Sequence, residues 1–447
     1  MRASFPPRRE FLRTAALAGL AGASASAIAG KRPAVAQAAA SERLRIGCIG
    51  MGGMGMSDAR DHVRLGDVVA VCDVDADRRE RARIDDRAGR GRAKSFRDYR
   101  CVLDCSDVDA VSIATPDHWH TKIAIEALEA GKHVFCQKPL TLTLEENRLM
   151  RRACEKHRDK TFGVGTQQRS DRPFFLRAVN LVQQGLLGEI KQVVVGINGG
   201  EVGGPFPKTA PPAELDWNAW LGQAPQVDYV KERCHEQFRW WYEYSGGKFT
   251  DWGAHHVDIA LWALGEDRPG TGPVEIDGTD CRHPIPLVDG MPTRDDSYNT
   301  AHDFSVACRF ASGTELIVTS RGDNGIAFEG TLGRIFVNRG RIAGKPVEES
   351  WDAGYFGRED LWRLYKGKPF EGHKENFYRC LREGGAPVSD VSSHLQTMNV
   401  CHLAAIAARL QRTIRWDPAT EQIVGDAQAA ALQSRAARRG FEIPIVA

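Results

Sequence analysis

The stretch from Arg45 to Gly55 constrains the fold more than any other. Arg45-Ile46-Gly47-Cys48-Ile49 is a short apolar run of the kind that forms a buried strand, and it leads straight into Gly50-Met51-Gly52-Gly53-Met54-Gly55. The glycines fall in the G-x-G-x-x-G pattern, and the residues after them, through about Leu65, read as a helix. The first glycine permits a tight turn, the second lets the backbone approach a pyrophosphate, and the third lets helix and strand pack closely. The helix N-terminus then offers unpaired N–H groups and the positive end of its dipole to phosphates. A second strand-like run, Val68-Val69-Ala70-Val71-Cys72, ends at Asp73, about 20 residues on, where a carboxylate holds ribose hydroxyls in a dinucleotide fold. The pattern predicts a nicotinamide dinucleotide site at Gly50, Met51, Gly52, Gly53, Met54, Gly55 and Asp73; the structural alternative is a tight turn with no ligand. Asp73 favours NAD because its charge repels a 2′-phosphate, while Arg78 and Arg79 follow closely enough to receive one and keep NADP open.

Strand-like and helix-like runs alternate from residue 43 to 165. Strands are expected at Arg45–Ile49, Val68–Cys72, Ala93–Phe96, Ala110–Ala114, His133–Cys136 and Thr161–Val164, with helical patterns such as Thr121–Ala130 and Leu144–Arg158 between them. Alternation of this kind predicts an α/β Rossmann domain, a doubly wound parallel sheet with ligands at the C-terminal strand ends. Those ends carry Gly50, Asp73, Thr115-Pro116-Asp117-His118 and Gln137-Lys138-Pro139.

The second half, 166–390, has a different rhythm. A helical pattern over Phe174–Gln184 and a strand at Gln192–Ile197 precede a Gly-, Pro- and Trp-rich stretch from 199 to 240, read as a long functional loop. Later strands at Phe304–Phe310, Glu315–Thr319 and Arg334–Asn338 cluster instead of alternating with helices, which predicts a C-terminal α+β domain with a large open, mostly antiparallel sheet. Residues 391–413 read as a helix packing back on the core and 414–447 as a C-terminal extension.

The segment Gly246–Asp258 concentrates polar groups in apolar surroundings. A helix over Thr250–Leu264, with Thr250 as its cap, would set Asp251, His255 and Asp258 on one face. Three readings stand: a structural one, with Asp251 on the helix dipole and His255 half-buried; a metal site using His255, His256 and the two carboxylates; and a catalytic one. No metal is expected. Trp240, Trp241 and Tyr242 just upstream could stack on a sugar ring or pack in the core, and Gln168 and Arg169 could reach substrate hydroxyls.

Composition narrows the partners. With 60 basic and 58 acidic side chains in 447 residues the formal net charge is +2, which gives no reason to expect nucleic acid or an anionic membrane. No apolar run approaches the ~20 residues of a membrane span. Eleven cysteines, an odd number without a C-x-x-C pair, read as buried free thiols.

The glycine loop, Thr115-Pro116 followed by His118 and His120, and Gly131-Lys132-His133-Val134 leading into Lys138-Pro139 together resemble the Gfo/Idh/MocA oxidoreductase family, over most of the chain from Leu44 to about Arg412. The resemblance implies that Lys138 bridges nicotinamide and substrate hydroxyl, and that Asp251 and His255 match an Asp-x-x-x-His pair beside the nicotinamide. His255 would then take the hydroxyl proton while Asp251 orients the imidazole. The cofactor site would include Thr115, Pro116, His118, Gln137 and Lys138; the substrate site would include Gln168, Arg169, His256, Trp241 and Tyr242. Gln137 stands where the family has glutamate, and losing that charge should favour a neutral Lys138 amine. The resemblance also implies that the C-terminal sheet mediates a homo-oligomer, dimer or tetramer.

At the N-terminus, Pro7-Arg8-Arg9-Glu10-Phe11-Leu12-Arg13, an Ala/Gly/Leu stretch from Ala15 to Ala29 and Ala34-Val35-Ala36 make residues 1–40 similar to a Tat export signal and linker, read by the Tat translocase. Export to the periplasm would separate the protein from free nicotinamide, so a tightly bound cofactor is expected. The expected activity is hydride transfer between that cofactor and a secondary hydroxyl of a sugar, glycoside or cyclic polyol. The alternatives are a redox-neutral glycoside hydrolase or lyase working through a transient keto-sugar, and a non-catalytic sugar-binding protein.

Overall fold

Six parallel strands form the first sheet: β1 (Arg45–Ile49), β2 (Asp67–Cys72), β3 (Lys94–Phe96), β4 (Ala110–Ile113), β5 (His133–Cys136) and β6 (Phe162–Val164), in the order β3-β2-β1-β4-β5-β6. They belong to a computed structural model that describes residues 43–348 and 356–445; the twin-arginine segment lies outside the described residues. The central strands are buried on both faces, which is why they read as near-continuous apolar runs. Two separate apolar clusters cover the two faces. The strand order reverses between β1 and β4, and a crevice opens there at the C-terminal strand ends. The helix after β4 starts at Asp117, earlier than the apolar period suggests. Pro116 sits at its cap and Asp117 in its first turn, positions that favour helix initiation without an apolar signal.

The second sheet draws strands from most of the remaining chain. After β7 (Ile190–Gly196) and β8 (Pro273–Arg282) comes a short ribbon of β9 (Leu287–Val288) and β10 (Met291–Pro292). The sheet continues with β11 (Asp303–Phe310), β12 (Glu315–Thr319), β13 (Gly325–Gly330), β14 (Arg334–Val337), β15 (Ile342–Lys345), β16 (Thr413–Asp417) and β17 (Gln422–Val424). The nine strands run in the order β15-β14-β13-β7-β12-β11-β8-β16-β17, antiparallel throughout except where β7 pairs with β12. The helix Val391–Leu410 packs on β8, and Gly278 makes that contact possible: a Cβ there would lie 2.3 Å from the Ala407 backbone carbon. The extension read at 414–447 supplies β17 and nearly all of β16, too short for their alternation to register in the sequence.

The Gly-, Pro- and Trp-rich stretch folds around its own core. Trp217, Trp220, Trp240, Trp241, Tyr244 and Tyr298 form one apolar cluster, and the helix Trp217–Leu221 lies within it. The helix His373–Glu383 returns to the first sheet, packing Phe377 and Tyr378 beside Ile46 and Phe135. All eleven cysteines are free thiols, most of them buried.

Candidate functional site

The glycine turn is shaped by backbone contact. Gly50 has φ +83°, and a Cβ on it would sit 2.6 Å from the Thr115 amide nitrogen. A Cβ on Gly55 would fall 1.8 Å from the Gly50 carbonyl oxygen, so helix and strand meet where only glycine fits, whereas Gly53 faces open space. Asp73 braces this turn: its Oδ2 accepts from the Met51 N–H at 2.6 Å and its Oδ1 from the Asp75 N–H at 2.9 Å. Burial pushes its carboxyl above the usual range, against those two hydrogen bonds. Met51 and Gly55 are corrections to the expected cofactor contacts. The Met51 side chain is 2% exposed in the core, and Gly55 serves the packing of the turn.

A solvent-open cleft lies over the turn, and Gly50, Gly52, Gly53, Met54, Asp73, Thr115, Pro116, Gln137 and Lys138 all line it. The cleft fits a dinucleotide. It offers a glycine cradle at Gly52 and Gly53, where a Cβ on Gly52 would lie 2.9 Å from the Arg78 guanidinium, a carboxylate at the end of β2, and a buried Thr115 Oγ1 without a hydrogen-bond partner. His118 does not take part: its Nε2 meets the Trp220 carbonyl oxygen at 3.0 Å and its ring packs among Trp220 and Tyr244. It faces away from the cleft wall, which its neighbours Asp117, Trp119 and His120 line instead. His120 ties two strand ends together, with Nδ1 2.6 Å from the Pro139 oxygen and Nε2 2.9 Å from the Thr115 oxygen.

The chemical end of the site is organised by Lys138. Its Nζ donates to Asp251 Oδ1 at 2.8 Å and to the Asp251 backbone oxygen at 3.0 Å. The second bond explains a departure from the expected continuous helix. The Asp251 carbonyl would ordinarily accept from the His255 N–H; here that N–H bonds the Trp252 oxygen at 3.0 Å. The segment therefore divides into a turn, Lys248–Asp251, and a helix, Gly253–Leu264. Thr250 is not a cap, and its Oγ1 accepts from the Gly246 N–H at 2.9 Å.

Asp251 consequently serves Lys138 and does not orient His255. Burial alone would raise its carboxyl, but Lys138 and Arg239 outweigh that and hold it at about 2. Arg239 Nε lies 3.5 Å from the same oxygen. His255 is 7% exposed and its Nδ1 has no hydrogen-bond partner. Burial, with the charges of Lys138 and Arg339 nearby, holds the imidazole well below its ordinary pKa, so it is neutral at neutral pH. Gln137 also departs from expectation. Its Nε2 donates to the buried Asp58 at 2.7 Å, and Lys374 bonds the other Asp58 oxygen at 2.6 Å. An anion does stand beside Lys138: Asp251 provides it from across the fold, so the amide at 137 does not leave the amine without one.

The remaining expected substrate contacts are structural. Arg169 forks onto the buried Asp258 at 2.7 and 2.9 Å and reaches Asp267 at 3.1 Å, with its guanidinium against the Trp262 ring. His256 lies 3.2 Å from the Gln168 amide through Nδ1 and 3.0 Å from Asn324 Oδ1 through Nε2. With its amide nitrogen facing His256, Gln168 also donates to the His255 oxygen at 3.0 Å and accepts from Arg339 Nε at 3.3 Å. It steadies the histidine pair from behind. Trp241 is fully buried, donates to the Glu232 oxygen at 2.8 Å and carries Arg233 on its face. Tyr242 turns away to His283 at 2.9 Å, with Arg409 over its ring.

Sequence reasoning placed Asp117 at a strand end without giving it a role in the site, and it missed Arg239 and Arg339. Asp117 lines the cleft, accepts from Ser245 Oγ at 2.6 Å, and is pushed up to about 7 by burial. Its signal was its place at the end of β4. Arg239 and Arg339 come from a 3₁₀ turn and from the β14–β15 hairpin, where an arginine carries no local signal.

Comparison with known proteins agrees with this geometry. Residues 44–166 match a model described as an oxidoreductase family with an NAD-binding Rossmann fold, and residues 180–341 match its C-terminal alpha/beta domain. The chain is similar to an inositol 2-dehydrogenase of Salmonella typhimurium, 32% identical over 149 residues covering 33% of this chain and 43% of that protein. It is also similar to a myo-inositol 2-dehydrogenase of Thermotoga maritima, 27% identical over 313 residues covering 69% and 77%. The first of the curated relatives are matched over less than half of their length. In fold, the chain resembles the WlbA dehydrogenase of Bordetella pertussis, solved with NADH and UDP-GlcNAcA, with a TM-score of 0.58 and 20% identity over 83% of this chain and 98% of that one.

Proposed function

From the chain's membership of the Gfo/Idh/MocA oxidoreductase family, we propose that it is a dehydrogenase acting on a secondary hydroxyl of a sugar or cyclic polyol. The observation that carries this reading is the Lys138–Asp251 pair with a neutral His255 beside it, at the C-terminal mouth of a dinucleotide-binding sheet. When bound, the nicotinamide supplies the redox chemistry by exchanging hydride. The chain's part is to manage the proton. Lys138, held in place by Asp251, hydrogen-bonds the substrate hydroxyl oxygen and stabilises charge developing there. His255, in its proton-accepting form, takes the hydroxyl proton; no hydrogen bond at Nδ1 fixes its tautomer, so the ring is free to present a lone pair. Gln168 holds the histidine segment in place.

The relatives named as inositol dehydrogenases support a cyclic polyol or pyranose as substrate. The reading includes NAD held tightly, supported by the Asp73 carboxylate at the end of β2, and Tat export to the periplasm, supported by Arg8-Arg9 and the Ala-rich stretch after it. It also includes a homo-oligomer formed through the large sheet. The protein should be incubated with NAD and a panel of inositols, aldoses and glycosides while reduced cofactor and ketone are followed. Equal amounts of both support the reading. Glycoside cleavage with neither product transfers the assignment to the redox-neutral reaction, and no reaction in either direction rejects both.

A further inference from the structure

The C-terminal tail reaches the cofactor cleft. It lies beyond both matched regions, which end at residue 341, yet Phe441 is part of the cleft wall. Hydrogen bonds from several side chains and one backbone N–H hold the tail there. Arg435 Nη1 donates to the Glu243 oxygen at 2.5 Å, and Lys122 Nζ donates to the Glu442 oxygen at 2.6 Å. Arg438 grips the turn after the helix Trp217–Leu221, donating to the Gly222 oxygen at 2.8 Å and the Asn218 oxygen at 2.7 Å. The Arg438 N–H donates to the Gln223 oxygen at 3.1 Å.

The grip connects with the aromatic wall. A Cβ on Gly222 would lie 2.4 Å from the Trp119 ring, so that ring packs directly on the turn Arg438 holds. Phe441 meets Trp119 edge to face, centroids 6.0 Å apart, and Tyr99 meets Trp119 from elsewhere at 5.7 Å. Together with Ile123 these rings make an apolar lobe of the cleft. Its position identifies what it faces. Tyr99 follows β3, at the edge of the sheet on the Asp73 side, whereas Lys138 follows β5 on the opposite side of β1. A dinucleotide with its pyrophosphate at Gly52 and its chemistry at Lys138 directs its adenosine half to the Tyr99 side.

We propose that the tail Arg435–Ile443 is a wall of the dinucleotide site, with Phe441 contacting the adenosine half and the Arg438 clamp slowing cofactor release. The proposal rests on the dinucleotide reading of the cleft and is independent of the sugar chemistry. A planar base packed against aromatic rings gains from stacking, and removing one ring should weaken binding about tenfold. In the full chain, Phe441→Ala and Arg438→Ala should be compared with the parent for affinity to ADP-ribose and to nicotinamide mononucleotide, and for the rate of NADH release followed by fluorescence.

The expected result is about tenfold weaker ADP-ribose binding and faster NADH release in Phe441→Ala, with nicotinamide mononucleotide unaffected, and a smaller change in the same direction in Arg438→Ala. ADP-ribose affinity and NADH release within twofold of the parent in both variants would overturn the proposal. So would equal weakening toward ADP-ribose and nicotinamide mononucleotide, which marks a general loosening of the fold; thermal melting of each variant identifies that case.

Discussion

The two ends of the cleft are built in opposite ways. At the cofactor end, the turn Gly50–Gly55 and Asp73 lie within 24 residues of sequence, and the decisive contacts involve backbone: Gly50 against Thr115, Gly55 against Gly50, Met51 N–H to Asp73. At the chemical end, the decisive contacts are between side chains far apart in the chain. Lys138 meets Asp251 from 113 residues away, and Gln168 and Arg339 converge behind His255. The first kind of site is specified by conformation, because only glycine can adopt it. The second is specified by charge compensation in a desolvated place, and its members make sense only in pairs.

This contrast can be broken from either side. The largest effect belongs to the chemical end: His255→Ala should lower turnover about 100- to 10,000-fold while bound NAD is retained, measured by steady-state kinetics and cofactor content. Unchanged turnover would remove His255 from the mechanism. At the cofactor end, Gly50→Ala forces φ +83° on a residue with a Cβ and drives that Cβ into the Thr115 backbone. It should cost about 3 kcal/mol of stability and empty the cleft of NAD, seen by urea unfolding and mass spectrometry of the released cofactor.

A smaller effect appears on acidification. The Asp251 carboxyl is held at about 2 against an ordinary 3.8, so its contribution is fully present above pH 3.8 and is lost as pH falls toward 2. That contribution is about 2 kcal/mol, and Asp251→Asn should flatten the urea midpoint across this window. The smallest effect lies at the seam between the two ends. Gln137→Glu would set a second carboxylate against buried Asp58, forcing one of them to hold a proton at a cost of about 1 kcal/mol. A stability equal to the parent's would show that Lys374 compensates both.

How much was legible follows from the same contrast. The parallel sheet, its strand ends and the glycine turn could be read because apolar runs and glycines act locally. Lys138, Asp251 and His255 were found by pattern, but their arrangement was misread. Nothing in the sequence shows that Lys138 takes the Asp251 carbonyl, and that bond ends the first helical turn and sends the carboxylate away from His255. Arg169, His256, Trp241 and Tyr242 were polar or aromatic residues near the right segment, and each is taken up by a partner that only tertiary structure supplies. The strands β8 and β13 escaped notice because each contains glycine or charge where an alternating pattern would be sought. The Gln137 departure was visible as a change of charge, but Asp58, its actual partner, lies on the other side of the strand order.

Phe441 follows Val164, the end of β6, by more than half of the chain, so the ribosome makes it well after the first sheet. The strands β1 to β6 and the glycine turn are complete long before it emerges. During synthesis the cleft therefore exists first as a trough with one side missing, and a dinucleotide can enter it along the edge that the tail later occupies. On the proposed reading of the tail, a chain broken off before Arg435 would carry a finished first sheet and an unfinished nucleotide pocket.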